Sequence, residues 1–201
     1  MRVVVTREEL VPRLRALGHD AVLCELIRFE PLGDEPVDAS AYDWLLVTSP
    51  NGARELARRG VTANRIAAIG PSTAAALHEH GLHADVVAET YSQEGLRDAL
   101  PAGESMLLAA AAGARQGVLD ADFLPLYRTI ELAPAPPDGD VALLPSASNA
   151  RALAATGARL PVVAIGPQTA AAAQAVGLDV VAVAHPHTLD GLVEALASLA
   201  W

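Results

Sequence analysis

The stretch Ile69-Gly70-Pro71-Ser72-Thr73-Ala74-Ala75-Ala76 decides the fold, because the chain writes it twice. Ile165-Gly166-Pro167-Gln168-Thr169-Ala170-Ala171-Ala172 stands 96 residues on. Each copy follows an apolar run, Arg65-Ile66-Ala67-Ala68 or Val162-Val163-Ala164, and opens an alanine-rich one. That order predicts strand, tight turn, helix. Glycine suits the turn, and proline is favoured at the first helical position, where its missing N–H costs nothing. The N–H groups of Ser72 and Thr73, and of Gln168 and Thr169, are then expected free at the helix ends. Unpaired donors and the helix dipole together attract anions there. One such start reads as an ordinary capped helix; the repetition makes it an organising feature.

Outward from the motif, the two halves keep matching. Upstream, Asp43 to Thr48 reads as a strand, Ser49-Pro50-Asn51-Gly52 as a turn and Ala53 to Arg59 as a helix ended by Gly60. Their counterparts are the strand Val141 to Leu144 and Ser146-Ala147-Ser148-Asn149, 97 residues after Ser49. Downstream, Gly81-Leu82 returns as Gly177-Leu178, and the strand Asp85 to Ala88 as Val180 to Val183. Ser92 returns as Thr188, each placed to cap a helix whose inner face carries Leu96 and Leu100, or Leu192 and Leu196. The chain opens with the buried-strand pattern Val3-Val4-Val5, then Thr6-Arg7. A helix follows with Leu10, Leu14 and Leu17 at helical spacing before Gly18, and then a short strand, Ala21 to Cys24. Ser105 to Ala110 is a strand, Gly113-Ala114-Arg115 turns, and 117–123 is weakly patterned.

Alternating strands and helices in a tandem duplication of roughly 100 residues indicate parallel α/β domains. Two extended pieces, Arg28-Phe29-Glu30-Pro31 and Pro125 to Ile130, lead into breaker-rich segments, Gly33 to Pro36 and Pro134 to Gly139. These crossings fall inside each repeat rather than between the repeats. A chain swap explains that placement. Lobe 1 would take 1–32 with 132–201, lobe 2 would take 38–128, and 28–38 with 127–139 would run between them. The fold class expected is therefore two parallel-sheet α/β/α lobes with swapped chain halves.

Composition removes several chemistries. The net charge is −10 and aromatic residues are 3%, so neither electrostatic attraction to nucleic acid nor a stacking platform for it is expected. All fourteen basic residues are arginine. Without lysine there is no Schiff base, no pyridoxal phosphate anchor and no Walker lysine. Cys24 is the single cysteine, so no intramolecular disulfide and no cysteine zinc cluster is expected. His78, His80 and His83 cluster at a helix end without sharing a face, and His185-Pro186-His187 reads as a polar loop. No metal site is assigned. No Gly-x-Ser-x-Gly, His-Glu-x-x-His or dinucleotide fingerprint occurs. The start, Met1 to Arg7, is too soon charged for a signal peptide, and no apolar run is long enough to cross a membrane. A cytoplasmic protein is the expectation.

In open parallel sheets, ligands bind beyond the carboxyl ends of the strands. Thr6, Arg7, Ser49, Asn51, Ser72, Thr73, Arg115, Ser146, Ser148, Asn149, Gln168 and Thr169 all fall at such ends. Hydroxyls, amides, N–H groups and two arginines suit a polyanionic ligand, provided that the two lobes face each other. Tyr127 stands out beside the crossing, whereas Tyr42 before a strand and Tyr91 before a helix read as packing or rim. A phenol can donate a proton without adding charge to a site meant for an anion. Packing at the crossing would explain Tyr127 equally well.

Taken together, Thr6-Arg7, Val47-Thr48-Ser49-Pro50-Asn51-Gly52, Ala68 to Ala74, Leu126-Tyr127-Arg128-Thr129, Ser146-Ala147-Ser148-Asn149, Ala164 to Ala170 and Gly177-Leu178 resemble the uroporphyrinogen-III synthase family, in order and over nearly the whole chain. The resemblance implies two α/β lobes joined by a two-stranded linker. It implies an enzyme without metal or cofactor, and hydroxymethylbilane, a linear tetrapyrrole with eight carboxylates, as substrate. The reaction it implies is loss of the terminal hydroxyl as water, inversion of the last ring through a spiro intermediate, and closure of the macrocycle. Tyr127 would be the general acid. Gly70, Gly166 and Ser92 would join the strand-end residues in binding substrate. A monomer is expected, with room for transient hand-over from hydroxymethylbilane synthase. The alternative is a non-catalytic two-lobe binding or sensory module for a small polyanionic metabolite, which would have the same helix starts but no need of Tyr127.

Overall fold

The computed structural model describes residues 1–199. In chain order the elements are β1 (Arg2–Val5), α1 (Leu10–Ala16), β2 (Asp20–Leu23), β3 (Ile27–Pro31), β4 (Val37–Ala39) and β5 (Trp44–Val47). Next come α2 (Pro50–Arg59), β6 (Val61–Ala63), β7 (Ile66–Ala68), α3 (Pro71–Glu79), β8 (Val86–Val87) and α4 (Gln93–Asp98). Then follow β9 (Met106–Ala111), β10 (Asp122–Glu131), β11 (Val141–Leu144), α5 (Ala147–Ala155), β12 (Val162–Ala164), α6 (Pro167–Ala175), β13 (Val180–Val183) and α7 (Leu189–Ala197).

The chain divides into two compact units. One comprises Met1–Arg28 and the chain from Ile130 onward; the other is Phe29–Thr129. The first unit holds a five-stranded sheet in the order β13-β12-β11-β1-β2, parallel throughout. Val3 pairs with Val141 in its middle, so the opening strand finds its partner 138 residues later. Both faces are covered. Val3 and Val5 pack with Leu10 and Leu14 of α1 and Leu192 and Leu196 of α7. Val4 points the other way, to Ala150 and Leu153 of α5 and Ala173 of α6. Burial on both faces is why these strands read as unbroken apolar runs.

The second unit holds a six-stranded sheet, β3-β10-β9-β5-β7-β8. Leu45 and Val47 pack with Ala53 and Leu56 of α2 and with Leu77 of α3, while Trp44 and Leu46 pack with Leu96 of α4 and with Leu119. The strands from β10 to β8 are parallel. At the edge, Leu32 N–H bonds Leu126 O and, further along, Leu132 N–H bonds Leu26 O. β3 therefore runs antiparallel to β10, and these two strands carry the chain between the units. Among the described residues no helix is long and apolar enough to cross a membrane.

Four expectations are revised. First, α2 starts at Pro50, not at Ala53: Ser49 is its N-cap, so the supposed turn Pro50-Asn51-Gly52 is the first helical turn. Likewise α5 begins at Ala147. Second, Leu17 closes α1 as its C-cap and is 55% exposed, so only Leu10 and Leu14 face the core. Third, β4 and β6 form a small parallel sheet of their own, unseen in the sequence because three residues carry no readable period. Fourth, the weakly patterned segment ends in strand: β10 begins at Asp122 and runs ten residues.

Candidate active site

In the second unit Tyr127 lies beside the carboxyl ends of β5 and β9. It lies on β10, next to β9, with Pro125 opposite Ala110 and Tyr127 opposite Ala111. Leu126 is thus the extra residue of a β-bulge, which breaks the alternation of faces. Leu126 is fully buried and Tyr127 is 5% exposed, so neighbouring residues both point inward. The phenol oxygen lies 2.9 Å from Ser49 Oγ. The same Ser49 Oγ accepts the Gly52 N–H at 2.9 Å, which caps α2. Phe29 of β3 meets the tyrosine ring edge to face, at 5.6 Å between centroids and 88°. Burial pushes the phenol above its ordinary value, and hydrogen bonds with the Ser49 and Asn51 side chains pull the other way. Such a phenol keeps its proton at neutral pH.

The other residues of this unit divide into free and engaged groups. Gly70 is the N-cap residue of α3, with Pro71 at the first helical position as the sequence predicts. Ser72 is exposed. Thr73 N–H turns back to Gly70 O at 3.1 Å, so one of the two donors expected free at this helix start is taken. Its side chain is 1% exposed, and Thr73 Oγ1 has no partner. Ser92 caps α4 by accepting Gly95 N–H at 3.1 Å. Arg115 is not a bare cation. It is 2.6 Å from Glu94, and its carbonyl accepts from Gln93 Nε2 at 3.0 Å. The Glu94 carboxyl lies below its ordinary range, through a backbone hydrogen bond first and Arg115 second.

In the first unit, too, the corresponding groups are partly free and partly engaged. Thr6 follows β1 half-buried, with Oγ1 unpartnered, and Arg7 is half-buried beside it. Ser146 caps α5 through Asn149 N–H at 3.2 Å and also accepts from Asn149 Nδ2 at 2.9 Å. Ser148 accepts from Arg151. Asn149 is 2% exposed with Oδ1 unpartnered. Gly166 starts α6, Gln168 is exposed and Thr169 is buried. Among the described residues no three His, Cys, Asp or Glu side chains are grouped so as to hold a metal ion.

Sequence reasoning missed two ring contacts. Tyr91 lies against Gly70, where a Cβ would stand 3.1 Å from its ring. His187 lies against Gly166, where a Cβ would stand 3.4 Å from its ring. Residues 91 and 187 are 96 apart, so the repeat offset itself was the available signal. A cavity of about 640 Å³ in this second unit opens instead at the amino ends of β9 and β10, beside Glu104, Asp120 and Asp122. With three carboxylates against the single cation Arg97, its lining does not suit an anion.

Comparison with known proteins bears on the family and the fold. The sequence profile described as Uroporphyrinogen-III synthase HemD matches residues 8–194. A Helicobacter pylori protein solved as uroporphyrinogen-III synthetase superposes with a TM-score of 0.71 at 17% identity, covering 100% of both chains. A mutant uroporphyrinogen III synthase from Thermus thermophilus superposes with a TM-score of 0.67 at 17% identity, covering 98% of this chain and 97% of that one. At these identities the likeness speaks for the fold. An Archaeoglobus fulgidus protein assigned by name to the uroporphyrinogen-III synthases is 38% identical over 79 residues, 37% of this chain. That match spans about a third of the relative's length, 34%.

Proposed function

The chain belongs to the uroporphyrinogen-III synthase family, and on that premise we propose that it cyclises hydroxymethylbilane to uroporphyrinogen III as a cofactor-independent hydro-lyase. The observation that carries the reading is the buried Tyr127 phenol, held 2.9 Å from Ser49 at the carboxyl end of the sheet of its unit. Tyr127 gives its proton to the terminal hydroxyl as the carbon–oxygen bond breaks, and water leaves. The pyrrole nitrogen supplies the electron pair and an azafulvenium results. The substituted carbon of the last pyrrole attacks it, the spiro intermediate opens and recloses with that ring inverted, and the proton lost on rearomatisation restores the phenol. Positioning does most of the work, because the flexible chain must fold so that the hindered carbon is the one that reacts.

Exposed Ser72 and Gln168, the helix starts at Gly70 and Gly166, and half-buried Thr6 and Arg7 are proposed to take up substrate carboxylates. Ser49, Ser92, Arg115, Ser146, Ser148 and Asn149, assigned to the same task from sequence, spend hydrogen bonds on caps and ion pairs. They would serve the substrate chiefly by shaping the helix starts. The enzyme is proposed to act as a cytoplasmic monomer, with hydroxymethylbilane handed over transiently by the synthase that makes it. A purely binding or sensory protein would keep the same helix starts and would have no need of Tyr127 as an acid.

The test is a coupled assay with hydroxymethylbilane in which the product is oxidised and the type I and type III isomers are resolved. Type III product is expected. Type I alone, at the spontaneous rate, would reject the proposal.

A further inference from the structure

We propose that Ser49 is a positioning residue that donates a hydrogen bond to the Tyr127 oxygen, leaving the phenol proton free for the departing hydroxyl and stabilising the phenolate that remains. The inference rests on the reading of Tyr127 as the acid, and it changes the part given to Ser49 from substrate ligand to partner of the phenol.

Counting protons leads to it. Gly52 N–H can only donate, and it donates to Ser49 Oγ. The other partner of that hydroxyl is Tyr127, at 2.9 Å. The Ser49 proton therefore has one acceptor among these bonds, the phenol oxygen. The reverse assignment, phenol donating to serine, would leave the serine proton without a protein acceptor. A donor at the oxygen leaves Tyr127 its own O–H to give away. It also stands where negative charge develops once the proton has gone, so no reorganisation is required at that moment. The Arg128–Glu30 pair lies on β10 and β3, the strand of the phenol and its neighbour, and β9 carries no charged residue.

The first unit shows the same serine without a phenol. The ladder of β3 and β10 repeats its bonds, Leu132 to Leu26 and Leu32 to Leu126, so Ile27 stands where the duplication puts Tyr127. Ile27 packs into an apolar cluster. Ser146, the counterpart of Ser49, then takes its second bond from Asn149 inside its own helix.

The experiment uses the full chain with Ser49→Ala, Ser49→Gly and Ser49→Thr. Turnover of hydroxymethylbilane to the type III product is measured. Ionisation of Tyr127 is followed by tyrosinate absorbance, with Tyr127→Phe as the blank. Ser49→Ala is expected to lower kcat about tenfold or more, to leave KM within about twofold, and to move the Tyr127 titration to higher pH. Ser49→Thr restores both. Glycine is tolerated at a helix N-cap, so Ser49→Gly moves kcat and titration the same way even where loss of the cap compromises Ser49→Ala. A raised KM with unchanged kcat would return this residue to substrate binding and overturn the proposal. So would a titration that stays in place or falls, including one accompanied only by a lower melting temperature. A wild-type rate in Tyr127→Phe would remove the acid role itself, and the titration arm would still decide the donor.

Discussion

Gly95 and Gly191 stand 96 residues apart and make the same close approach. A Cβ on Gly95 would lie 2.1 Å from Thr90 O, and one on Gly191 would lie 1.9 Å from Pro186 O. In each half the loop entering the helix is pressed onto that helix's first turn, where Ser92 or Thr188 caps the glycine N–H. Helix propensity favours alanine over glycine by about 1 kcal/mol, but the obstacle is main chain and cannot swing aside. Gly95→Ala and Gly191→Ala are expected to destabilise by about 1–3 kcal/mol. Gly70→Ala is expected to cost less, because it meets the ring of Tyr91, which is 62% exposed and free to move. Denaturant melts of the three variants check the order.

Tyr127→Phe removes the proposed proton donor and little volume. General acids contribute roughly 10²–10⁴-fold to rate, so kcat should fall by about a hundredfold while KM changes little. Steady-state assays at several hydroxymethylbilane concentrations separate the two.

The raised phenol also links stability to alkaline pH. The unfolded chain ionises its tyrosines first, at the ordinary value, while folded Tyr127 still holds its proton. The native state then binds more protons, and stability falls as pH rises. The contribution is whole below the ordinary tyrosine value of 10.0 and disappears as pH climbs through the raised one. Unfolding midpoints between neutral and alkaline pH should decline more steeply in the wild type than in Tyr127→Phe.

Leu14 and Leu17 share a helical spacing but not an environment: Leu14 is fully buried and Leu17 is 55% exposed. Leu14→Ala should cost about 2–5 kcal/mol, and Leu17→Ala no more than about 0.5 kcal/mol. Thermal denaturation distinguishes them.

Much of the architecture was legible because its signals are local. Gly70-Pro71 and Gly166-Pro167 begin helices where the repeat puts them, and Val3-Val4-Val5 is buried on both faces as its composition requires. Pro50-Asn51-Gly52 misled because those residue types favour turns, although proline at a first helical position is equally at home. The site was harder. Ser49 and Tyr127 are 78 residues apart, and the bulge at Leu126 that turns the phenol inward depends on β9. Neither relationship leaves a pattern in the neighbouring sequence. Arg115 was visible as a cation, but its partner Glu94 lies 21 residues away on α4.

The pairing of β1 with β11 also sets a timetable for synthesis. At about 5–20 residues per second, β1 waits on the order of ten seconds on the ribosome, with only β2 beside it, before residues 141–143 are made. The contiguous unit Phe29–Thr129 is complete by then. The nascent chain can therefore finish its middle before its beginning. The apolar strand Val3-Val4-Val5 is the segment whose exposure during that interval would most engage a chaperone.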